Sequence, residues 1–286
     1  MPAPEIIRTP KEVSARADAW RRAGRRIAFV PTMGYLHRGH VTLLEEGRAR
    51  GDVLVLSIFV NPTQFGPRED LARYPRDLEG DLAKAAGAGT DVVYLPEAGD
   101  MYPPGYQTYV EVKDLARGLC GERRPGHFRG VATIVAKLFC AVKPHVAIFG
   151  EKDYQQLQVV RRLARDLDLD VEIVGIPTVR EPDGLAMSSR NAYLSSDDRA
   201  RATCLHRALV KAREAAAGGE RDVAALCALA VGIISAGQPT RIDYVEARDA
   251  ETLQPVARLE RPVVMALAVF FGATRLIDNV VIQAGG

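Results

Sequence analysis

Residues 53–60, Val-Leu-Val-Leu-Ser-Ile-Phe-Val, form a nearly continuous apolar run bounded by Gly51 and Pro62. A strand with one wet face alternates apolar and polar residues. A strand with no polar face must be covered on both sides, and that condition belongs to parallel sheets inside α/β folds. The residues before it fit the same unit. A short apolar run at 26–30 is followed by a helical pattern at 40–50, so residues 26–60 read as one right-handed βαβ crossover.

The alternation continues. Helical patterns at 11–23, 77–88, 131–142 and 153–167 are interleaved with strand-like runs at 91–95, 145–149 and 171–176. This predicts a Rossmann-like, doubly wound parallel sheet ending near Pro177. After about residue 195 the pattern changes to two helices, 196–216 and 221–236, and then strands at 241–246, 263–271 and 275–282. Helices first and strands later predict a smaller α+β domain. The expected division is residues 1–178, a nucleotide- and substrate-binding domain, and residues 179–286, a lid.

Several function classes are disfavoured. Lys+Arg number 38 against 36 Asp+Glu, a formal net charge of +2, which gives no electrostatic case for nucleic-acid binding. No apolar run approaches the roughly 20 residues needed to span a bilayer, and the first residues lack a signal-peptide core, so a cytoplasmic protein is expected. The four cysteines are widely spaced with no CxxC or Cys/His cluster, and are expected to be reduced core thiols. There is no GxxxxGK[ST] loop, no dinucleotide fingerprint after a strand and no GxSxG elbow.

Ligands in open parallel sheets bind beyond the carboxyl ends of the strands. The residues just after each strand therefore matter, and four strand ends carry polar residues expected to converge on one crevice. After the first comes Pro-Thr-Met33-Gly34-Tyr-Leu-His37-Arg-Gly39-His40, leading into a helix. A helix N-terminus attracts phosphate, a glycine allows close backbone approach, and imidazoles can donate to phosphate oxygens. One histidine there could simply cap the helix; two around a glycine favour a phosphate-handling loop. After another strand, Lys152 and Asp153 begin a helix, where a cation opposes the helix dipole unless an anion offsets both. Ser188, Ser189 and Arg190 lie in a glycine-preceded loop, expected to be flexible, and offer hydroxyls and a planar guanidinium suited to polyphosphate. Gln64 and Gln156 follow different strands, and neutral amides suit an organic substrate with hydroxyl and carbonyl groups.

Six segments, VPTMGYLHRGH, SIFVNPTQFG, DLARYPR, RPGHFRGV, FGEKDYQQL and REPDGLAMSSRN, occur in this order. HRGH resembles the HxGH signature of the nucleotidyltransferase superfamily that includes class I aminoacyl-tRNA synthetases. The whole set resembles the pantothenate synthetase (pantoate–β-alanine ligase) family over residues 25–195 and, more loosely, beyond. The resemblance implies an ATP-dependent ligase that joins pantoate to β-alanine through a pantoyl adenylate, releasing AMP and pyrophosphate. It implies His37, His40 and Lys152 as catalytic groups, with His40 at a position described as proton donor. It places ATP against Met33, Gly34, His37, Gly39 and His40, against Gly150, Glu151, Lys152 and Asp153, and against Val179, Met187, Ser188, Ser189 and Arg190. Pantoate and β-alanine fall to Gln64, Gln156 and Asn61. Mg2+ is expected to arrive with ATP, with no protein ligand assigned, and the family suggests a homodimer. Because an acyl adenylate hydrolyses readily, residues 66–76 are expected to act as a gate. The competing possibilities are a related nucleotidyltransferase or ligase acting on another acid and a non-catalytic nucleotide- or RNA-binding protein.

Overall fold

The computed structural model describes residues 3–67 and 69–284. It divides into two compact units. One comprises residues 1–116, 124–151 and 156–177; the other comprises 117–123, 152–155 and 178–286. The division is more interleaved than a single boundary at 178, and it assigns Lys152 and Asp153 to the second unit.

In the first unit six parallel strands, β1 (Glu5–Ile7), β2 (Ile27–Thr32), β3 (Val53–Ile58), β4 (Val92–Tyr94), β5 (Val146–Gly150) and β6 (Glu172–Ile176), lie in the order β1-β4-β3-β2-β5-β6. The crossovers use α1 (Pro10–Arg22), α2 (Arg38–Arg50), α3 (Leu78–Gly87), the short α4 (Ala98–Met101) and α6 (His127–Val142), with α5 (Leu119–Arg123) between the last two. The α/β expectation holds, and every residue of β3 is buried.

Alternation along the strands explains the layering. Ala28 and Val30 of β2 join Leu44 of α2 and Ala85 of α3 in one apolar cluster. Phe29 points the other way and meets Phe139 of α6 edge-on at 6.4 Å, and Phe139 meets Phe149 at 6.5 Å. Strand order reverses between β2 and β5, so the topological switch point lies at their carboxyl ends.

α7 (Tyr154–Asp166) follows β5. The second unit contains α8 (Ser196–Arg201), α9 (Cys204–Ala217) and α10 (Val223–Ala236), then antiparallel β7 (Arg241–Asp249), β8 (Val263–Phe271) and β9 (Thr274–Ile282). Met265, Leu267 and Val269 of β8 pack with α9 and α10, while Ala266 and Ala268 join Leu119 of α5 and Tyr244 on the opposite face.

Three expectations need correction. The helix expected over 196–216 is two helices, because the Thr203 hydroxyl donates to the Ala200 carbonyl at 2.8 Å and the backbone tightens into i→i+3 turns at Ala202–Leu205. Helix α6 begins at His127 instead of 131, because Gly126 takes a left-handed N-cap at φ 83°. Cys140 lies on the exposed side of α6 and is not a core thiol; all four cysteines are free.

Candidate active site

The loop after β2 is shaped by a buried carboxylate. Gly34 and Tyr35 have φ of 83° and 52°, left-handed values that glycine adopts without strain. The turn directs two successive amides at Asp81 of α3: Tyr35 N–H donates to Oδ2 at 2.8 Å and Leu36 N–H to Oδ1 at 2.6 Å. A Cβ on Gly34 would sit 3.0 Å from that Oδ2. Burial pushes the Asp81 carboxyl above its ordinary range, outweighing the two amide bonds.

His37 is the N-cap of α2. Its Nδ1 accepts from Gly39 N–H at 3.1 Å, and His40 Nδ1 accepts from His37 N–H at 3.3 Å. This is a reciprocal capping box built from two imidazoles, whose ring centroids lie 4.1 Å apart. Each Nδ1 is occupied as an acceptor, so the neutral ring carries its proton on Nε2. Helix capping and presentation of an N–H donor are therefore done by the same two rings.

The turn after β3 is sequestered. Asn61 is 1% exposed and Gln64 9%, although both lie in a connection. The 3-10 turn Pro62–Gln64 is pressed onto α6 at Gly130, where an added Cβ would lie 2.4 Å from the Thr63 carbonyl oxygen. Asn61 Nδ2 donates to Gln64 Oε1 at 3.0 Å, and Gln64 Nε2 donates to Met33 Sδ at 3.2 Å. Met33 and Gln64, from the turns after β2 and β3, are thus brought together. Gln156 is half-buried in the first turns of α7.

Two residues of the RPGH segment grip the Gln64 carbonyl. Arg124 Nη2 donates to it at 3.2 Å and His127 Nδ1 at 2.9 Å, while His127 Nε2 accepts from Arg124 Nη1 at 3.1 Å. Arg124 also pairs with Glu69 at 2.7 and 2.5 Å. Glu69 belongs to the expected gate 66–76, of which Arg68 lies outside the described residues. Asp81, Arg124 and His127 carry no role in the sequence reading; the RPGH segment was a signal for the last two.

In the second unit, Asn279 Nδ2 donates to the Lys152 carbonyl at 2.9 Å, and Lys152 Nζ stands 3.8 Å from Asp153 Oδ2. The neighbouring Asp278 is 3% exposed and holds Arg180 in a two-pronged pair at 2.6 and 2.9 Å. Arg180 bridges to Ala186, and Met187 N–H donates to the Val179 carbonyl at 3.0 Å. The loop expected to be flexible is thus a hydrogen-bonded hairpin. It delivers Ser188, whose Oγ accepts from Arg190 N–H at 3.3 Å, and the buried Ser189. One pair of adjacent β9 residues therefore anchors both the Lys152 and the Met187–Arg190 segments. Gly150, Glu151 and Gln156 belong to the first unit.

The family model for pantoate-beta-alanine ligase matches residues 5–281. The chain belongs to the pantoate–beta-alanine ligase family. Among relatives of this family, a pantothenate synthetase from Anaeromyxobacter dehalogenans is 59% identical over 286 residues, covering 98% of this chain and 99% of that relative. One from Syntrophobacter fumaroxidans is 56% identical over 278 residues, covering 97% and 98%. Among solved structures, pantothenate synthetase from Thermus thermophilus superposes with a TM-score of 0.91 at 47% identity, covering 96% of this chain and 98% of that one. A Francisella tularensis pantoate-beta-alanine ligase, complexed with beta-gamma ATP and beta-alanine, gives a TM-score of 0.81 at 33% identity over 99% of both chains. As a member of this family of ligases, the chain is an enzyme, and its strand order and its antiparallel second sheet accompany that membership.

Proposed function

We propose that this chain condenses pantoate with β-alanine in two steps driven by ATP. In the first, a pantoate carboxylate oxygen attacks the α-phosphorus and pyrophosphate leaves. In the second, the β-alanine amine attacks the acyl carbon of the adenylate, AMP leaves with the bridging oxygen, and the amine loses a proton. Adenylation turns a poor electrophile into a good one, so no protein nucleophile is required. Catalysis then rests on positioning and on donors aimed at developing charge.

The observation that carries the phosphate half is the paired-imidazole cap. With each Nδ1 held by a backbone amide, His37 and His40 would turn Nε2–H donors toward phosphate oxygens. The first-turn amides of α2, around Gly39, add to this anion preference. Lys152 would bridge the phosphates, with Ser188, Ser189 and Arg190 on the β- and γ-groups. Met33, Gly34, Val179 and Met187, with the 150–153 segment, would complete the nucleotide contacts. Gln64 and Gln156 would hold pantoate and receive β-alanine, and Asn61, expected beside them, would act through Gln64, because its own amide is spent on Gln64, Gly130, Thr63 and Tyr102.

Among the described residues no group of three His, Cys, Asp or Glu side chains could hold a metal ion. Mg2+ would enter with ATP through its phosphate oxygens, where it neutralises phosphate charge. No helix among the described residues is long and apolar enough to cross a membrane. A cytoplasmic homodimer that binds no nucleic acid completes the reading.

The test is release of pyrophosphate and AMP from ATP, with pantoate and with or without β-alanine. Pyrophosphate should require pantoate, and AMP with pantothenate should require both acid and amine. His40→Ala and Lys152→Ala should each slow pyrophosphate release by about 100- to 1000-fold, the usual loss for one transition-state donor. Release indifferent to pantoate, or unchanged in both variants, overturns the proposal.

A further inference from the structure

The two ends of the Asn61 amide are distinguishable from their surroundings. Its Oδ1 accepts from the Tyr102 hydroxyl at 2.8 Å, from Thr63 Oγ1 at 3.0 Å and from Thr63 N–H at 3.4 Å. Its Nδ2 donates to the Gly130 carbonyl at 3.2 Å and to Gln64 Oε1 at 3.0 Å. An amide oxygen only accepts and an amide nitrogen only donates. Flipping Asn61 would set N–H against N–H and oxygen against oxygen, in a place that is 1% exposed to water. The polarity therefore passes along the network. With Gln64 Oε1 engaged by Asn61, the other end of Gln64 is its NH2 group, which rests on the Met33 sulfur at 3.2 Å. Sulfur is a weak acceptor, and a carboxylate or hydroxyl oxygen is a much better one.

We propose that Tyr102 is a positioning residue for acid recognition: through Asn61 its hydroxyl holds Gln64 with the NH2 end presented to an oxygen acceptor of the bound acid. This rests on the reading that Gln64 binds the acid substrate. Tyr102 is suited to the task. It follows α4 directly, the ring of Tyr106 meets it edge-on at 5.1 Å, and the Lys137 ammonium lies 4.6 Å from the Tyr106 ring and 5.8 Å from that of Tyr102. Burial pushes its phenol up to about 12, so the hydroxyl remains a donor throughout the neutral range. The second partner available to it, Thr63 Oγ1 at 3.1 Å, is itself committed to Asn61 Oδ1, so both hydroxyls mark the same end of the amide.

The experiment is steady-state kinetics on Tyr102→Phe, which keeps the ring and removes the hydroxyl. The KM for pantoate should rise about five- to tenfold, the scale of one oriented hydrogen bond, with kcat and the KM for ATP within about twofold of wild type. A structural role alone would move all three constants together and lower the melting temperature. Gln64→Ala is measured beside it. If Gln64→Ala leaves the pantoate KM unchanged, the underlying reading of Gln64 fails. If it raises the pantoate KM while Tyr102→Phe does not, the relay is overturned and the reading of Gln64 stands. In the double variant, Tyr102→Phe should add nothing to Gln64→Ala, because orientation matters only while the amide is present; effects that multiply overturn the relay. Asn61→Asp gives a second test should Tyr102→Phe fold poorly. It keeps the acceptor for Tyr102 but draws the Gln64 NH2 inward, so pantoate KM should rise further than in Tyr102→Phe, and a wild-type value overturns the proposal.

Discussion

Asp81 offers a stringent test of how the loop carrying His37 and His40 is built. The substitution Asp81→Ala removes one carboxylate and leaves two inward-facing amides, Tyr35 N–H and Leu36 N–H, without their acceptor. Hydrogen bonds to a charged acceptor contribute about 1.5–3 kcal/mol each, so the gross loss is about 3–6 kcal/mol. Removing a buried carboxylate also relieves its desolvation, and the net loss is about 2–4 kcal/mol. The assay is amide hydrogen exchange of the peptide containing residues 33–37. A loss of that size in local opening free energy speeds exchange by about 30- to 900-fold at neutral pH.

The pH dependence has a definite sign. Burial raises the Asp81 pKa in the folded protein. The contribution of its titration to stability is therefore fully present below the ordinary carboxylate pKa and is lost as pH rises through the raised folded value. The ratio of variant to wild-type exchange, corrected for intrinsic rates, should be largest in mild acid and decline toward neutral pH. A ratio near one at every pH would show that Asp81 does not hold the loop. A ratio that grows with pH would show that the amides favour the charged carboxylate over the neutral acid by more than burial disfavours it, contrary to the raised pKa.

Two further substitutions probe the neighbouring elements. Gly130→Ala forces a methyl group to 2.4 Å from the Thr63 carbonyl oxygen, and the steric cost of about 1–3 kcal/mol should outweigh the helix-propensity gain of about 1 kcal/mol; a lower melting temperature with a raised pantoate KM is expected, and a more stable variant with wild-type KM would contradict it. Asp278→Ala strands the Arg180 guanidinium beside a position only 3% exposed, and should cost about 3–5 kcal/mol in thermal or denaturant unfolding, with Asp278→Asn intermediate.

The elements that carry the fold were legible because their signals are local. The run at 53–60 announced a doubly covered strand, and the helix–strand alternation to residue 177 gave the parallel sheet. β1 is not legible in the sequence because Glu5–Ile7 is three residues long and gains its strand character only by pairing with β4, Glu5 opposite Val92, far along the chain. The break between α8 and α9 depends on one threonine hydroxyl competing for a carbonyl. The candidate site divides in the same way. His37, His40, Gln64 and Lys152 stand at strand ends where any reader of an α/β pattern would look. Asp81 and Tyr102 act from 45 and 41 residues away from the residues they hold, and no spacing rule links them to those residues. Arg124 and His127 belong to the RPGH segment, which stands out in the sequence, but their target, the Gln64 carbonyl, is set by tertiary packing.

The most direct test of the proposed chemistry follows the pantoate oxygen. With pantoate labelled by 18O in its carboxylate, attack on the α-phosphorus followed by aminolysis at carbon should leave one labelled oxygen in AMP and one in pantothenate, with none in pyrophosphate, as read by mass spectrometry of the products. Label in pyrophosphate or inorganic phosphate, with unlabelled AMP, would place the attack at another phosphorus and contradict the adenylate route.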